Sequence, residues 1–286
     1  MPIIVTKRSL NPTVSLLEVE APLIAQKALP GQFVILRPDA RGERIPLTIA
    51  DSDPIRGTVT VMFQRVGLTT QKLDALSSGD ELLDIVGPLG NPTETEGATR
   101  AAVIGGGVGC AIAFPQAKAL HRTGIPVDVI AGFRSRELVI LEEEFRRNAR
   151  ELYLTTDDGS YGEQGFVSQK LQSLIDAGAG YDLVIAIGPV PMMRAVAEVT
   201  RPLGIRTIVS LNPIMVDGTG MCGCCRVKVG GVTKFACVDG PDFDGHQVDY
   251  EELMRRNAVY RQQEAQAVKD HACRMEQMAR ALEKEG

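Results

Sequence analysis

"AAVIGGGVG" (Ala101–Gly109) is the stretch on which the architecture turns. Four apolar residues followed by a glycine run describe a buried strand that ends in a loop. In an open α/β sheet such a loop leads into a helix, whose first main-chain N–H groups can cradle an anion. Gly107 and Gly109 supply G-x-G, but Ile112 stands where a dinucleotide fingerprint has its third glycine. Pro115 predicts an irregular first turn, with the main helix starting there. Gly105, Gly106, Gly107 and Gly109 are the candidate pyrophosphate cradle, and a simple tight turn is the alternative.

Downstream, "VDVIAGF", "ELYLTTDDG", "YDLVIAIG" and "TIVSLNP" read as strands. The helical stretches "PQAKALHRTG", "SRELVILEEEFRRNA", "GFVSQKLQSLIDAG" and "VPMMRAVAEVTRPLG" separate them. This alternation predicts a doubly wound parallel α/β domain over residues 98–211. Ligands in such sheets sit at the carboxyl ends of strands, which makes Arg134, Asp157, Asp158, Gly188 and Pro189 candidate nucleotide contacts. Arg134 and Arg136 occupy the place where an acidic residue would favour NADH. They suit the extra phosphate of NADPH, but solvated arginines explain them equally, so both nucleotides stay open.

Upstream, residues 1–97 read as an antiparallel β-barrel. "IIVTKRSL", "TVSLLEVE", "GQFVILRP", "RIPLTIAD" and "GTVTVMFQRV" are short β-rich runs separated by Pro, Gly, Asp and Asn. "TTQKLDAL" adds one helical interruption, and "VGPLGNPTETEG" has the composition of a linker. In "RIPLTIAD", Arg44 offers a fork for a pyrophosphate and Thr48 a hydroxyl on the same strand. "VGLTTQKL" places Gly67, Thr69 and Thr70 at the start of a helix, again a phosphate-binding geometry.

A barrel with R-x-P-x-T followed by a glycine-loop α/β domain resembles the ferredoxin reductase family. The resemblance implies FAD on the barrel, held by Arg44, Pro46, Leu47, Thr48, Gly67, Thr69 and Thr70, and a nicotinamide nucleotide on the second domain. Pro46 replaces the aromatic residue usual in that motif, which removes a stacking platform for the flavin ring.

Four of the six cysteines fall in "DGTGMCGCCRVKVGGVTKFAC" (Asp217–Cys237), inside a segment spanning residues 212–249. A plant-type [2Fe–2S] site has the spacing C-x₄-C-x₂-C…C. Cys222, Cys225 and Cys237 occupy the last three positions, and Asp217 stands in the first. Zinc held by Cys222, Cys225, Cys237 and His246 is the alternative. A thiol redox pair and a disulfide framework fit less well, because the C-x-x-C precedes a hairpin-like "RVKVGG" in a chain without secretory features.

With the cysteines included, the chain resembles flavin and iron–sulfur electron-transfer subunits. One such group serves dihydroorotate dehydrogenase and carries four cysteines at its cluster. The other is the small subunit of NADH-dependent ferredoxin:NADP oxidoreductase, also described as a sulfide dehydrogenase subunit, with an aspartate first in the motif. "VGLTT", "TDDGSYG" and "FACVDGPDFDGHQVD" match the second group, and Cys224 departs from it. The resemblance implies electron flow between nicotinamide, FAD and [2Fe–2S], with Thr48 at the flavin's reactive edge. It also implies a heterodimer with a larger flavin and iron–sulfur subunit, through which ferredoxin is reached, and electron bifurcation confined to that larger subunit. A non-enzymatic, metal-stapled regulatory subunit is the reading from a different class.

The bulk properties are compatible. A net charge of −5, no tryptophan and 5% aromatic residues argue against a nucleic-acid partner. No signal peptide or apolar run of membrane-spanning length is evident, so a cytoplasmic protein without a membrane partner is expected. Residues 250–286 form a tail in which Ala265, Val268, Ala272, Met275, Ala279 and Leu282 recur at steps of three and four, predicting an amphipathic helix.

Overall fold

The computed structural model describes residues 1–270. Its first part contains β1 (Ile4–Ser9), β2 (Val14–Glu20), the short α1 (Pro22–Ala25), β3 (Phe33–Arg37), β4 (Ile45–Asp53), β5 (Thr58–Gln64), α2 (Leu68–Ala75) and β6 (Asp84–Leu89). These strands form one antiparallel sheet in the order β1-β2-β5-β4-β3-β6. An Ile3–Glu81 bridge joins the two edges and makes the sheet barrel-like. β5 shows why apolar alternation is imperfect here. Val59, Val61 and Phe63 fill the barrel interior, while Met62 on the opposite face is buried in the core shared with the α/β part.

"VGPL" belongs to β6, which pairs with β3, and so it is not linker as its composition suggested. Gly87 and Pro88 fall where the β3–β6 register shifts between Phe33 and Ile35, a position where a ladder tolerates proline.

The α/β part follows as β7 (Ala101–Gly106), α3 (Gly109–Arg122), β8 (Val127–Phe133), α4 (Glu142–Arg147), β9 (Glu151–Thr156), β10 (Glu163–Gln164), α5 (Val167–Asp176), β11 (Leu183–Ile187), α6 (Val190–Thr200) and β12 (Arg206–Ser210). The strands run parallel in the order β10-β9-β8-β7-β11-β12. Every residue of β7 is buried, as a central strand covered on both faces requires.

Two local expectations fail for one physical reason, tertiary packing. α3 does not start at Pro115 but runs unbroken from Gly109 with Pro115 inside it. Ala111, Ala113, Phe114 and Ala117 are all buried around that proline, and their packing holds the helix together despite the missing N–H. "SRELVILEEEFRRNA" is not one helix. A single 3₁₀ turn at Arg136–Leu138 is followed by an extended step, and Leu141 enters α4 with φ +59°. Ile140, Leu141 and Phe145 are buried together, and the extended step at Val139 with the left-handed turn at Leu141 directs them into the core.

The last part is built from β13 (Arg226–Val229), β14 (Val232–Phe235), α7 (Ala236–Asp239), β15 (Asp242–Asp244) and α8 (Tyr250–Asn257). β13 and β14 make a hairpin closed by Gly230 and Gly231, both at positive φ as a two-residue turn demands. β15 pairs antiparallel with β12 and completes the sheet. Residues 261–270 are helical, with Ala265 exposed and Val268 half-buried. The remaining positions of the expected apolar stripe, Ala272, Met275, Ala279 and Leu282, lie outside the described residues.

α3 joins barrel and sheet: Phe114 shares a core with Leu16 and Met62, and Lys118 Nζ donates to Asp51 Oδ2 at 2.6 Å. A second core on the opposite sheet face unites Phe33 and Ile35 with Cys225, Val227, Cys237 and Leu253. Among the described residues, no helix is long and apolar enough to cross a membrane.

Candidate functional site

The glycine loop and the β11 loop meet at the carboxyl edge of the sheet. A Cβ on Gly106 would collide with Met192 Sδ and lie 3.1 Å from Pro189 Cδ; one on Gly188 would lie 3.1 Å from the Gly106 nitrogen. Gly109 abuts the β11 backbone, where a Cβ would meet Gly188 Cα at 2.8 Å. Below them the buried Cys110 fills the space beside Gly105. Gly107, at φ +56°, faces open space. The arrangement brings Gly105, Gly106, Gly107 and Gly109 together with Gly188 and Pro189 around an uncovered turn at a helix start, geometry that accepts a pyrophosphate.

The neighbouring strand ends are knitted to each other. Asp157 N donates to the Phe133 carbonyl at 3.0 Å and Asp158 N to the Arg134 carbonyl at 3.3 Å. Arg134, Asp157 and Asp158 all stand exposed on this edge. Asp158 Oδ1 accepts from the Ser160 hydroxyl at 2.6 Å and its amide at 2.9 Å, which lowers the carboxyl pKa and makes Asp158 a turn-forming residue. Arg136 lies over the Tyr161 ring, 5.2 Å from the centroid.

On the barrel, Pro46, Leu47 and Thr48 lie on β4 opposite Ile35, Val34 and Phe33 of β3, with Arg44 just before the strand. Arg44 Nη1 donates to Asp84 Oδ2 at 3.1 Å, but its buried Nε has no hydrogen-bond partner. A buried guanidinium edge without an acceptor fits an absent anionic group such as a flavin pyrophosphate. At the α2 start, Thr69 is buried and the Thr70 hydroxyl accepts from the Gly67 amide at 3.0 Å. Thr70 therefore caps its own helix, and Gly67 leaves open space above the turn.

The cysteine loop lies against this barrel face. A Cβ on Gly218 would sit 2.9 Å from Leu89 Cδ1 and 3.0 Å from Ile35 Cγ1. Arg44 is close enough to Asp217 to favour its ionised form. The Thr219 hydroxyl and amide both donate to Asp217 Oδ2 and hold the carboxyl below the usual range. Cys222 is exposed, and its sulfur is faced by the amides of Cys224 and Asp217, which lower its pKa. Cys225 and Cys237 are buried with their sulfurs 3.2 Å apart. Burial pushes the Cys237 thiol up to about 12, so a metal must displace its proton.

The four positions thus fall into two pairs, Asp217 with Cys222 and Cys225 with Cys237. A [2Fe–2S] centre asks for two pairs, since each of its irons takes two protein ligands. Gly218, Gly220 and Gly223 all have positive φ, and the Gly220 amide faces the Cys237 sulfur. The donor set and the N–H groups aimed at sulfur fit such a cluster. Zinc fits poorly. His246 Nε2 is 2.9 Å from the Thr200 hydroxyl, and among the described residues no three His, Cys, Asp or Glu side chains converge on one ion.

Sequence reasoning missed several parts of this site. Gly90 and Asn91 look like linker, yet Asn91 N donates to the Gly240 carbonyl at 2.6 Å and ties the barrel to the cysteine segment. Met192, which fills the space between Gly106 and Gly188, carries no sequence signal beyond its place in "GPVPMM". The seating of Gly218 against Ile35 and Leu89 brings together residues far apart in the chain.

Two surface clefts lie elsewhere. One of about 290 Å³ runs between α6 and α8. Another, of about 200 Å³, opens at the strand starts beside Asp128, Arg150 and Tyr181. Neither touches the glycine loop or the cysteines.

The sequence model of the iron–sulfur cluster binding domain of dihydroorotate dehydrogenase B matches residues 212–249. The chain is 52% identical over 272 residues to an uncharacterized protein in the adh 3′ region of Clostridium beijerinckii, with 92% of each covered. It is 46% identical over 246 residues to a Thermotoga maritima homologue of the dihydroorotate dehydrogenase B (NAD(+)) electron transfer subunit, with 86% of each covered. Among solved structures, that of NADH-dependent reduced ferredoxin–NADP oxidoreductase, studied for flavin-based electron bifurcation, contains a chain 42% identical to this one. The TM-score is 0.90, with 95% of this chain and 98% of that chain covered. The parallel sheet carrying a glycine loop, the barrel beside it and the cysteine segment between them are thus shared over nearly the whole length. The chain belongs to the family that unites the dihydroorotate dehydrogenase B electron-transfer subunits with that chain of the ferredoxin–NADP oxidoreductase, and it is an oxidoreductase electron-transfer subunit.

Proposed function

We propose that this subunit exchanges electrons with a nicotinamide nucleotide and relays them through FAD and a [2Fe–2S] cluster to a larger flavin and iron–sulfur partner. Ferredoxin is reached through that partner. The observation that carries the reading is the Cys225–Cys237 pair at 3.2 Å, where a glycine loop resting on the barrel strands meets α7. When bound, the flavin and the cluster supply the conversion between two-electron and one-electron chemistry.

The protein's own residues position these groups. We assign the barrel (1–97) to FAD, with Arg44 directed to the pyrophosphate, Thr48 to the flavin's reactive edge, and Pro46, Leu47, Gly67, Thr69 and Thr70 lining its place. The α/β part (98–211) takes the nucleotide at Gly105–Gly107, Gly109, Gly188 and Pro189, with Arg134 and Asp157 at the rim. Asp217, Cys222, Cys225 and Cys237 hold the cluster within 212–249, and the tail (250–286) follows. The bound nicotinamide and flavin would supply the hydride chemistry themselves, so no acid or base is asked of this chain, and His246 is turned to Thr200.

Cys222 is exposed, and Val216, Met221 and Val238 form an apolar rim in the same segment, Met221 being 88% exposed. A rim of this kind suits a partner that excludes water from the electron exit. The subunit by itself is then an NAD(P)H diaphorase, cytoplasmic like the soluble nucleotide pool it draws on.

The test is electron paramagnetic resonance of anaerobically purified, dithionite-reduced protein. An S = 1/2 signal that disappears in Cys222→Ala is expected. A silent spectrum together with stoichiometric zinc would overturn the reading.

A further inference from the structure

The starts of four neighbouring parallel strands gather charge on the sheet edge opposite the glycine loop. In the order β9-β8-β7-β11, Arg150 precedes β9, Asp128 is the second residue of β8, Arg100 precedes β7 and Tyr181 lies just before β11. Asp128 is 1% exposed and is held by Arg150 and the Tyr181 hydroxyl. Arg150 uses Nε and Nη2 for this grip, which leaves its Nη1 over. Arg100 is held differently. Its guanidinium lies over the Tyr181 ring, 5.4 Å from the centroid, and its Nη2 stands 3.8 Å from Asp128 Oδ2, beyond hydrogen-bond length. Its Nε is buried without a partner. Among the described residues this side chain, only 34% exposed, donates no hydrogen bond.

These groups line the cleft of about 200 Å³ at the strand starts. Two guanidinium groups and one carboxylate leave it with one unmatched positive charge. The facing wall is apolar, built from Leu174, Ala177 and Ala179. The C-terminus of α5 would repel an anion, but it is closed: Gly178 N donates to the Ile175 carbonyl and Ala179 N to the Leu174 carbonyl, both at 2.9 Å.

We infer that this cleft is a binding site for a small aliphatic carboxylate. The carboxylate bridges the free Nη groups of Arg100 and Arg150, and the hydrocarbon end rests on the apolar wall. A guanidinium fork matches the planar carboxylate, and one negative charge balances the surplus. A dianion would reverse the balance, and a neutral ligand would leave the charge unmatched. Asp128 competes for the same two cations and so limits the affinity. The site is independent of the electron-transfer reading, and binding rather than turnover reports on it.

The experiment is equilibrium dialysis of the full-length, flavin-bound protein against labelled propionate, with ionic strength held constant by sodium chloride. One saturable propionate per chain is expected. Arg100→Met should weaken it tenfold or more, and Arg100→Lys, which keeps the charge but loses the fork, should weaken it less. Asp128→Asn should tighten it several-fold, because the competing carboxylate is gone. Bound flavin shows that each variant is folded, and if Asp128→Asn is not, the Arg100 pair decides. Propionate binding that is unsaturable, or unchanged in Arg100→Met, overturns the inference. So does competition by a saturating nicotinamide nucleotide, which would place the anion in the glycine loop. Displacement by inorganic phosphate at lower concentration than by unlabelled propionate would overturn the choice of carboxylate.

Discussion

The Thr93 hydroxyl donates to Asp242 Oδ2 at 2.5 Å, joining the connection after the barrel to the strand that completes the sheet. Asp242 is half-buried with its Oδ1 shut off from solvent and unpartnered, and burial raises its pKa from the ordinary 3.8 to about 6, although the Thr93 hydrogen bond pulls the other way. The folded protein thus binds this proton more tightly than the unfolded chain. The carboxyl costs nothing below about pH 4, and its penalty grows as pH rises to just above 6. The gap corresponds to roughly 3 kcal/mol at neutral pH. Asp242→Asn keeps an acceptor for Thr93 and should flatten that part of the stability profile. Urea unfolding from pH 4 to 8 measures it, and parallel profiles would refute the assignment.

Arg44 is ion-paired with Asp84 at 3.1 Å. The pair is about one-third exposed, so its loss should cost no more than about 1 kcal/mol. Its unpartnered Nε predicts a larger functional effect. Arg44→Ala should lower bound flavin several-fold while iron content and melting temperature stay close to wild type. Flavin release on denaturation, quantified beside iron, is the measurement.

Gly107 tests the nucleotide loop. Its positive φ costs an alanine about 1–2 kcal/mol, but no neighbouring atom obstructs the added methyl. The methyl would intrude on the open turn instead. Gly107→Ala should raise the KM for NADH or NADPH about tenfold, equivalent to roughly 1.4 kcal/mol. Dithionite should still reduce the flavin fully, since it needs no nucleotide site.

Asp128 organises the opposite edge of the sheet. Arg150 grips it with Nε at 2.8 Å and Nη2 at 2.5 Å, and the Tyr181 hydroxyl donates to it at 2.8 Å. Removing this carboxylate leaves a buried tyrosine hydroxyl unpaired, and Asp128→Ala should cost about 3 kcal/mol. That is the low end for a broken buried pair, because Arg150 reaches water. Nucleotide KM and iron content should not change; a kinetic effect would show that the cleft beside it binds a ligand.

The sequence exposes those features whose signals are local. The parallel sheet is legible from alternating strands and helices, and the β13–β14 hairpin from paired glycines. Spacing singles out Asp217, Cys222, Cys225 and Cys237, whereas the hairpin that returns Cys237, on α7, to Cys225 belongs to the fold. Where neighbours in space decide, the sequence misleads. Pro115 looks like a helix start until the buried residues around it are counted. Val139 to Leu141 look helical, but the chain there is extended and turns left-handed at Leu141 to enter α4. Gly87 and Pro88 look like linker until β3 supplies a partner with a register shift. The meeting of Thr93 with Asp242 follows from topology and leaves no trace in either segment.

β15 is contributed by the cysteine segment and hydrogen-bonds along β12, so the metal-binding piece finishes the sheet that precedes it. A chain cut after Ser210 would bare the β12 edge and offer its N–H and C=O row to other molecules. The segment would in turn lose the surface on which Cys225, Val227 and Cys237 are packed. Cut at this seam, each piece would expose a surface that the other covers, so the two are expected to fold as one unit.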